Sequence, residues 1–351
     1  MKILVRATNW VGDAVMSIPA IAALRSRWPQ AEIAILGRPW VVELYRGQGY
    51  ADRLIAFDHA GRHRGVVGRE RLAAELRRER FDVAVLLQNA FEAAWLAWRA
   101  AIAERIGYAR DARGFLLTRA ILAPRRGEVP AHETYYYLEL LRRVGWLERL
   151  ENVERIELRV DSAAGERAET ALRRAGARSG ALRIALGPGA AYGSAKCWPP
   201  ERFAALADRF IAEFDADVIL FGTAAERGVA ERITGGMRRH PVTLVGETSI
   251  GDLPALFHSC HLFIGNDSGA MHVAAAVGLP VVGIFGPTDP GGTQPVTPHF
   301  TLVRQPVSCS PCFLRQCPVD HRCMTRIAVD AVYSAARPWL AQSSGRSAAR
   351  V

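Results

Sequence analysis

Twice along this chain a short apolar run gives way to a glycine-containing loop and then to a stretch of helical length. Ile3–Val5 reads as a strand, Ala7–Asp13 as the loop, and Asp13 to Trp28 as the helix. The pattern restarts with Arg183–Leu186, the loop Gly187–Pro199 and the helix Pro200–Phe214. Further strands are expected at Ile33–Leu36, Leu54–Phe57, Val83–Leu87, Val218–Phe221, Thr243–Val245, Leu262–Ile264 and Val281–Phe285. Helices are expected at Glu70–Arg80, Glu133–Val144, Ala224–Met237 and near Ala270–Val277. Strands alternating with helices of about 10–15 residues imply βαβ units and parallel sheets.

The reading is therefore an α/β chain of two similar halves. Residues 1–160 form an N-terminal Rossmann-like domain, 161–180 a linker region and 181–327 a C-terminal Rossmann-like domain. Residues 328–351 make a terminal helix and a disordered polar tail, and a strand and a helix are expected within 151–180. Two such halves facing one another place a ligand-binding cleft between them. The opening segment lacks the long apolar run of a secretory signal, so a cytoplasmic protein is expected. Ala270–Pro287 is the most apolar window, but Pro280 and several glycines break it, so no membrane span is expected.

The net charge of +10 favours anionic partners: nucleic acid, phosphorylated small molecules or an anionic membrane surface. Of the 45 basic residues only Lys2 and Lys196 are lysines, so an internal lysine that escapes this bias reads as chosen for its chemistry. Cys309, Cys312, Cys317 and Cys323 cluster as C-x2-C-x4-C-x5-C. In a cytosolic chain that composition suggests metal, but the spacing is not that of two separated C-x-x-C pairs. Thiols that pack or pair reversibly within a compact loop remain the alternative.

Three segments carry chemistry. In Ala7–Asp13, Gly12 permits a tight turn, and Asp13 is either an N-cap or a general base at the carboxyl end of a parallel strand. The loop GPGAAYGSAKCWP is neither G-x-G-x-x-G nor a P-loop, and no acidic residue ends the next strand, which disfavours a dehydrogenase. Lys196 within it is a compact ammonium suited to a phosphate oxygen. In Gly265–His272, backbone N–H groups at a helix start, with the Ser268 hydroxyl, form an anion site for a diphosphate. Asp267 there is either a loop cap or a holder of substrate hydroxyls, and His272 reads as a core residue. Phe285–Pro290 adds a strand end and turn on the same side.

Four segments in order, ATNWVGDAVMSIPAI, GPGAAYGSAKCWP, GNDSGAMHVAAAVGLPVVGIFGPTDP and CSPCFLRQCPVDHRCM, resemble the ADP-heptose:lipopolysaccharide heptosyltransferases of glycosyltransferase family 9. The likeness runs from residue 1 to about 327, and the W-V-G-D and A-Y-G-S-A-K forms favour the branch that adds the second heptose over the one that adds the first. It implies a GT-B fold and inverting, metal-independent transfer, without a cofactor, from ADP-heptose to the first heptose of a phosphorylated Kdo2-lipid A acceptor. Carried onto this chain, it makes Asp13 the base and Lys196 the stabiliser of the departing diphosphate. Gly189, Tyr192, Ser194, Asp267, Ser268, Gly269 and His272 fall on the donor side, and Asn9, Trp10 and Gly12 on the acceptor-side loop. Ala191 and Tyr192 replace a hydroxyl pair, so phosphate contacts there fall to backbone N–H groups or Ser194. The resemblance also implies peripheral contact with the inner face of the inner membrane. Alternatives are another GT-B nucleotide-sugar enzyme, such as a 2-epimerase, and a basic nucleic-acid-binding protein. The last is disfavoured because the arginines are scattered without a recognition motif.

Overall fold

The computed structural model describes residues 1–346, with side chains through residue 341, and the chain divides into two compact units, 1–153 and 154–351. The first runs β1 (Lys2–Arg6), α1 (Val11–Met16), α2 (Ile18–Arg27), β2 (Glu32–Gly37), α3 (Pro39–Tyr45), β3 (Arg53–Ala56), α4 (Gly65–Glu79), β4 (Val83–Leu86), α5 (Phe91–Arg99), β5 (Glu104–Tyr108), β6 (Arg119–Ile121) and α6 (Glu133–Arg143). Its sheet is wholly parallel, in the order β3-β2-β1-β4-β5-β6. Central strands covered by helices on both faces must be apolar throughout, and every residue of Val83–Leu86 is buried.

The second unit contains α7 (Ser162–Arg174), β7 (Arg183–Gly187), α8 (Pro200–Phe214), β8 (Asp217–Leu220), α9 (Arg227–Gly236), β9 (Val242–Thr243), α10 (Leu253–His258), β10 (Leu262–Asn266), α11 (Gly269–Ala276), β11 (Val281–Phe285), α12 (Pro290–Thr293), β12 (Phe300–Arg304), α13 (Arg322–Thr325) and α14 (Val329–Arg346). Its parallel sheet, β12-β11-β10-β7-β8-β9, repeats the same doubly wound order. In such a sheet the crossover connections leave on opposite faces on either side of the first strand, opening a crevice at the carboxyl ends there. The crevice falls between β1 and β4 in one unit and between β7 and β10 in the other.

Several expectations need correction. The single helix expected over Asp13–Trp28 is two, because Pro19 has no N–H to continue the ladder; Ser17 separates them and its carbonyl starts α2. No strand forms within 151–160; Ile156 and Leu158 instead bond singly to the carbonyls of Val296 and Ala276. Residues 161–180, where a linker region is expected, hold α7, capped by the Asp161 carboxylate at 2.7 Å from the Ala164 N–H and packed against α10. The end of the expected polar tail, 347–351, lies outside the described residues. Among the described residues no helix is long and apolar enough to cross a membrane.

Candidate functional site

In the second unit the segments after β7, β10 and β11 meet. Asn266 ends β10 with its side chain fully buried. Its Oδ1 accepts the Trp198 N–H at 3.0 Å and its Nδ2 donates to the Pro188 carbonyl at 2.6 Å. One amide thus closes both ends of the glycine-rich loop. The Trp198 indole is buried beside Phe203 and donates to the Ile327 carbonyl at 2.9 Å. With its end anchored, the loop makes a short 3-10 turn, Ser194–Lys196.

That turn aims Lys196 at Asp267: Nζ lies 2.6 Å from Oδ2, which also accepts the Thr288 hydroxyl at 2.6 Å. Both side chains are largely buried. The Tyr192 ring lies 4.9 Å from the ammonium, while its hydroxyl donates to the Phe313 carbonyl. Tyr192 therefore supports Lys196 with its ring, and its hydroxyl is committed to the backbone. Asp267 is an ion-paired anchor that links β10, the loop and the β11 turn, a contact that neither of its expected roles described. Ser268 is the N-cap position of α11, yet its buried hydroxyl bonds to nothing in the chain. A hydroxyl at a helix start, beside the N–H groups that open the helix, is a donor of the kind that suits an anion's oxygen. Gly269 opens the helix, and His272 is buried one turn into it.

Residues absent from the sequence reading complete the arrangement. Thr288 shares Asp267, and Asn266 holds the loop. Glu226 lies beyond β8, and a Cβ at Gly189 would fall 1.6 Å from its Oε1. That proximity brings a carboxylate to the glycine-rich loop, where a ribose-binding acid stands in related nucleotide folds. Glu226 is not at the strand's own end, where such an acid is expected, but closes the 3-10 turn Ala224–Glu226 beyond it. The cysteine-bearing segment braces the loop from outside. The Arg315 carbonyl accepts the Ala195 N–H at 3.0 Å and would lie 2.2 Å from a Cβ at Gly193, while His321 Nε2 sits 2.7 Å from the Ala195 carbonyl. All six cysteines are free thiols, and among the described residues no group of three His, Cys, Asp or Glu side chains could hold a metal ion.

In the first unit Asp13 is not the N-cap. Trp10 occupies that position, and Asp13 lies in the first turn of α1, where the helix dipole favours a carboxylate. Gly12 is helical and not a turn residue. Asn9 is held by the Gln88 side chain, at 3.0 Å from its N–H, and Trp10 is exposed. The Asp13 charge acts on Tyr45, Tyr137 and Glu133. Burial first, and the Asp13 charge second, raise the Glu133 carboxyl above its ordinary value.

Against known proteins, the model of glycosyltransferase family 9 (heptosyltransferase) matches residues 69–322. The chain is 30% identical to lipopolysaccharide heptosyltransferase 2 of Salmonella typhimurium and 29% identical to that of Escherichia coli, in each case over 87% of this chain and 88% of the relative. The solved structure of E. coli ADP-heptose lps heptosyltransferase II superposes with a TM-score of 0.83 at 27% identity, covering 98% of this chain and all of that one.

Two outcomes follow from this geometry. Asn266→Ala leaves the Pro188 carbonyl and the Trp198 N–H buried and unpaired, at about 1–3 kcal/mol each. Urea unfolding should show a loss of roughly 2–6 kcal/mol, and wild-type stability would refute the clamp. Glu133→Gln tests the buried carboxyl. Its raised pKa means that the folded chain keeps this proton to higher pH than the unfolded chain, so its contribution to stability falls as pH rises through that window. The variant should match wild type below about pH 4 and melt at a higher temperature at pH 8. An equal difference at both pH values would refute it.

Proposed function

This chain belongs to glycosyltransferase family 9 and is a glycosyltransferase of GT-B architecture, and we propose that it transfers L-glycero-D-manno-heptose, with inversion, from ADP-heptose to the first heptose of heptosyl-Kdo2-lipid A. The observation that carries this reading is the Lys196–Asp267–Thr288 cluster beside the orphan Ser268 hydroxyl, set at the crevice of a doubly wound sheet. The relatives' names supply the sugar and its nucleotide.

Inversion needs a base for the acceptor hydroxyl and charge stabilisation for the leaving group. Asp13 supplies the first. Its carboxylate takes the hydroxyl proton as that oxygen bonds to the anomeric carbon, and the bond from that carbon to the diphosphate breaks. The electron pair leaves with ADP. Lys196, the Ser268 hydroxyl and the N–H groups opening α11 stabilise the charge that develops there. An ammonium has three N–H donors; Asp267 uses one and leaves two for phosphate oxygens. Glu226 is suited to accept hydrogen bonds from the donor's ribose hydroxyls, and Gly189 and Ser194 line the same loop. Because a fixed ammonium and a helix start supply the positive charge, transfer requires neither metal nor cofactor.

The charge distribution supports a peripheral role at the cytoplasmic face of the inner membrane. Residues 1–153 carry 24 Lys and Arg against 17 Asp and Glu, most of the chain's excess. A basic acceptor-binding unit is drawn to anionic head groups and to a phosphorylated lipid. The nucleic-acid alternative rests on the net charge alone, since the arginines are scattered without a recognition motif.

The reading is tested by ADP release from ADP-heptose in the presence of heptosyl-Kdo2-lipid A; release that does not depend on the acceptor's heptose would overturn it. Asp13→Ala should reduce transfer by at least about a thousandfold while ADP binding, measured by calorimetry, stays within a few-fold of wild type. Retained turnover would refute the base assignment. Lys196→Ala should cost about a hundred- to a thousandfold in kcat. Near-normal turnover that EDTA abolishes would point to a metal in its place.

A further inference from the structure

Two guanidiniums at the carboxyl edge of the first sheet are used by nothing in the mechanism above. Arg6 is the last residue of β1 and Arg38 follows β2. Arg6 is only 2% exposed. It donates to the Ala7 carbonyl and, at 2.8 Å, to Asn9 Oδ1, but its Nε has no partner. Arg38 is half-buried, and its Nη1 is likewise buried without a partner. Both lie against the buried ring of Phe57, at 5.6 and 4.5 Å from its centre.

The local charge is unbalanced. Glu92 is the carboxylate that acts on both; Arg69 lies 3.4 Å from its Oε1, which is itself buried without a hydrogen-bond partner, so one carboxylate faces three guanidiniums. Burial first, then the charge of Arg38, pull Arg6 down to about 10, with Glu92 opposing. Adjacent buried cations with unfilled donors are costly unless an anion completes them. Guanidinium forks match the planar carboxylate and the phosphate oxygens in pairs. Aromatic surface lies alongside. The Trp40 indole donates to the Asn9 carbonyl at 2.9 Å and stands edge-on to His59, and Trp10 and Trp40 are both exposed. Indole faces next to an anion site suit a charged sugar better than a free ion.

We propose that Arg6 and Arg38 form an anion subsite that takes a carboxylate or phosphate of the acceptor saccharide, with Trp10 and Trp40 against its sugar rings. The subsite rests on the function proposed above. It also reaches the base: Arg6 holds Asn9 in the loop that leads into α1, whose first turn carries Asp13, so a filled subsite steadies the entry to that helix through a side chain already in place.

Steady-state kinetics on three acceptors tests this: intact heptosyl-Kdo2-lipid A, the same acceptor after phosphatase treatment, and the same acceptor with its Kdo carboxylates reduced to alcohols. Arg38→Gln should raise KM for the intact acceptor by about tenfold or more, with the KM for ADP-heptose within twofold of wild type. Arg38→Lys, which keeps the charge without the fork, should recover part of the loss. The penalty should vanish on one altered acceptor, and which one identifies the anion as phosphate or carboxylate. An unchanged KM on the intact acceptor, or an equal loss on all three, would overturn the subsite while leaving the transferase reading intact. A wild-type enzyme that does not use the intact acceptor would overturn both.

Discussion

The second unit's site depends on one neutral side chain. A glycine-rich loop is free to wander unless both ends are tied, and Asn266 ties both from the end of β10. The task needs a donor and an acceptor on one rigid, uncharged group. Aspartate has no donor, leucine has neither, and glutamine adds a methylene to a site with no exposed surface. The tie fixes the loop relative to the strand whose next residues are Asp267 and Ser268. The tie thus fixes the main chain at Lys196 relative to Asp267, and the lysine side chain spans the rest to Oδ2.

The loop is also held from its outer side. The segment carrying Cys309 to Cys323 delivers the Arg315 carbonyl and the His321 ring to Ala195, and its Cys312 and Phe313 N–H groups bond to the Pro287 carbonyl beside Thr288. A segment that touches both the glycine-rich loop and the turn that bears Thr288 couples them. Its contacts with the loop and the turn run through backbone groups and the His321 ring. Glycines mark the close approaches: a Cβ at Gly193 would meet the Arg315 carbonyl, and one at Gly286 would meet the Met324 sulfur at 2.3 Å.

Much of the architecture was legible in the sequence because parallel, doubly covered strands are apolar throughout. Val281–Phe285 and Val83–Leu86 announce themselves that way. The strands that were missed carry mixed patterns: Glu104–Tyr108 interleaves charges, and Arg119–Ile121 and Phe300–Arg304 lie at sheet edges with exposed or half-buried positions. At the site, Lys196 and Ser268 could be picked out by local signals, a lone lysine in an arginine-rich chain and a hydroxyl at a helix start. The partners could not. Thr288 meets Asp267 across 21 positions, and Glu226 reaches Gly189 from a different crossover. Arg6 and Arg38 looked like two more members of a common residue type, and only the folded sheet brings both onto Phe57.

The preference for lysine at 196 follows from the same geometry. An arginine there would present a fork to the Asp267 carboxylate and could close on it bidentately, leaving fewer donors aimed elsewhere. A compact ammonium bonds to one carboxylate oxygen, while the other hydrogen bond to that oxygen comes from Thr288. The charge is therefore oriented and partly neutralised before any ligand arrives, yet two of its three donors are not committed to Asp267. A largely buried cation in this state does not have to be reoriented when negative charge appears nearby. That is the condition under which a fixed dipole or charge lowers a barrier most effectively. The chain's overwhelming use of arginine elsewhere gives this exception its meaning: where a planar fork would be captured by its own anchor, the sequence keeps a point charge.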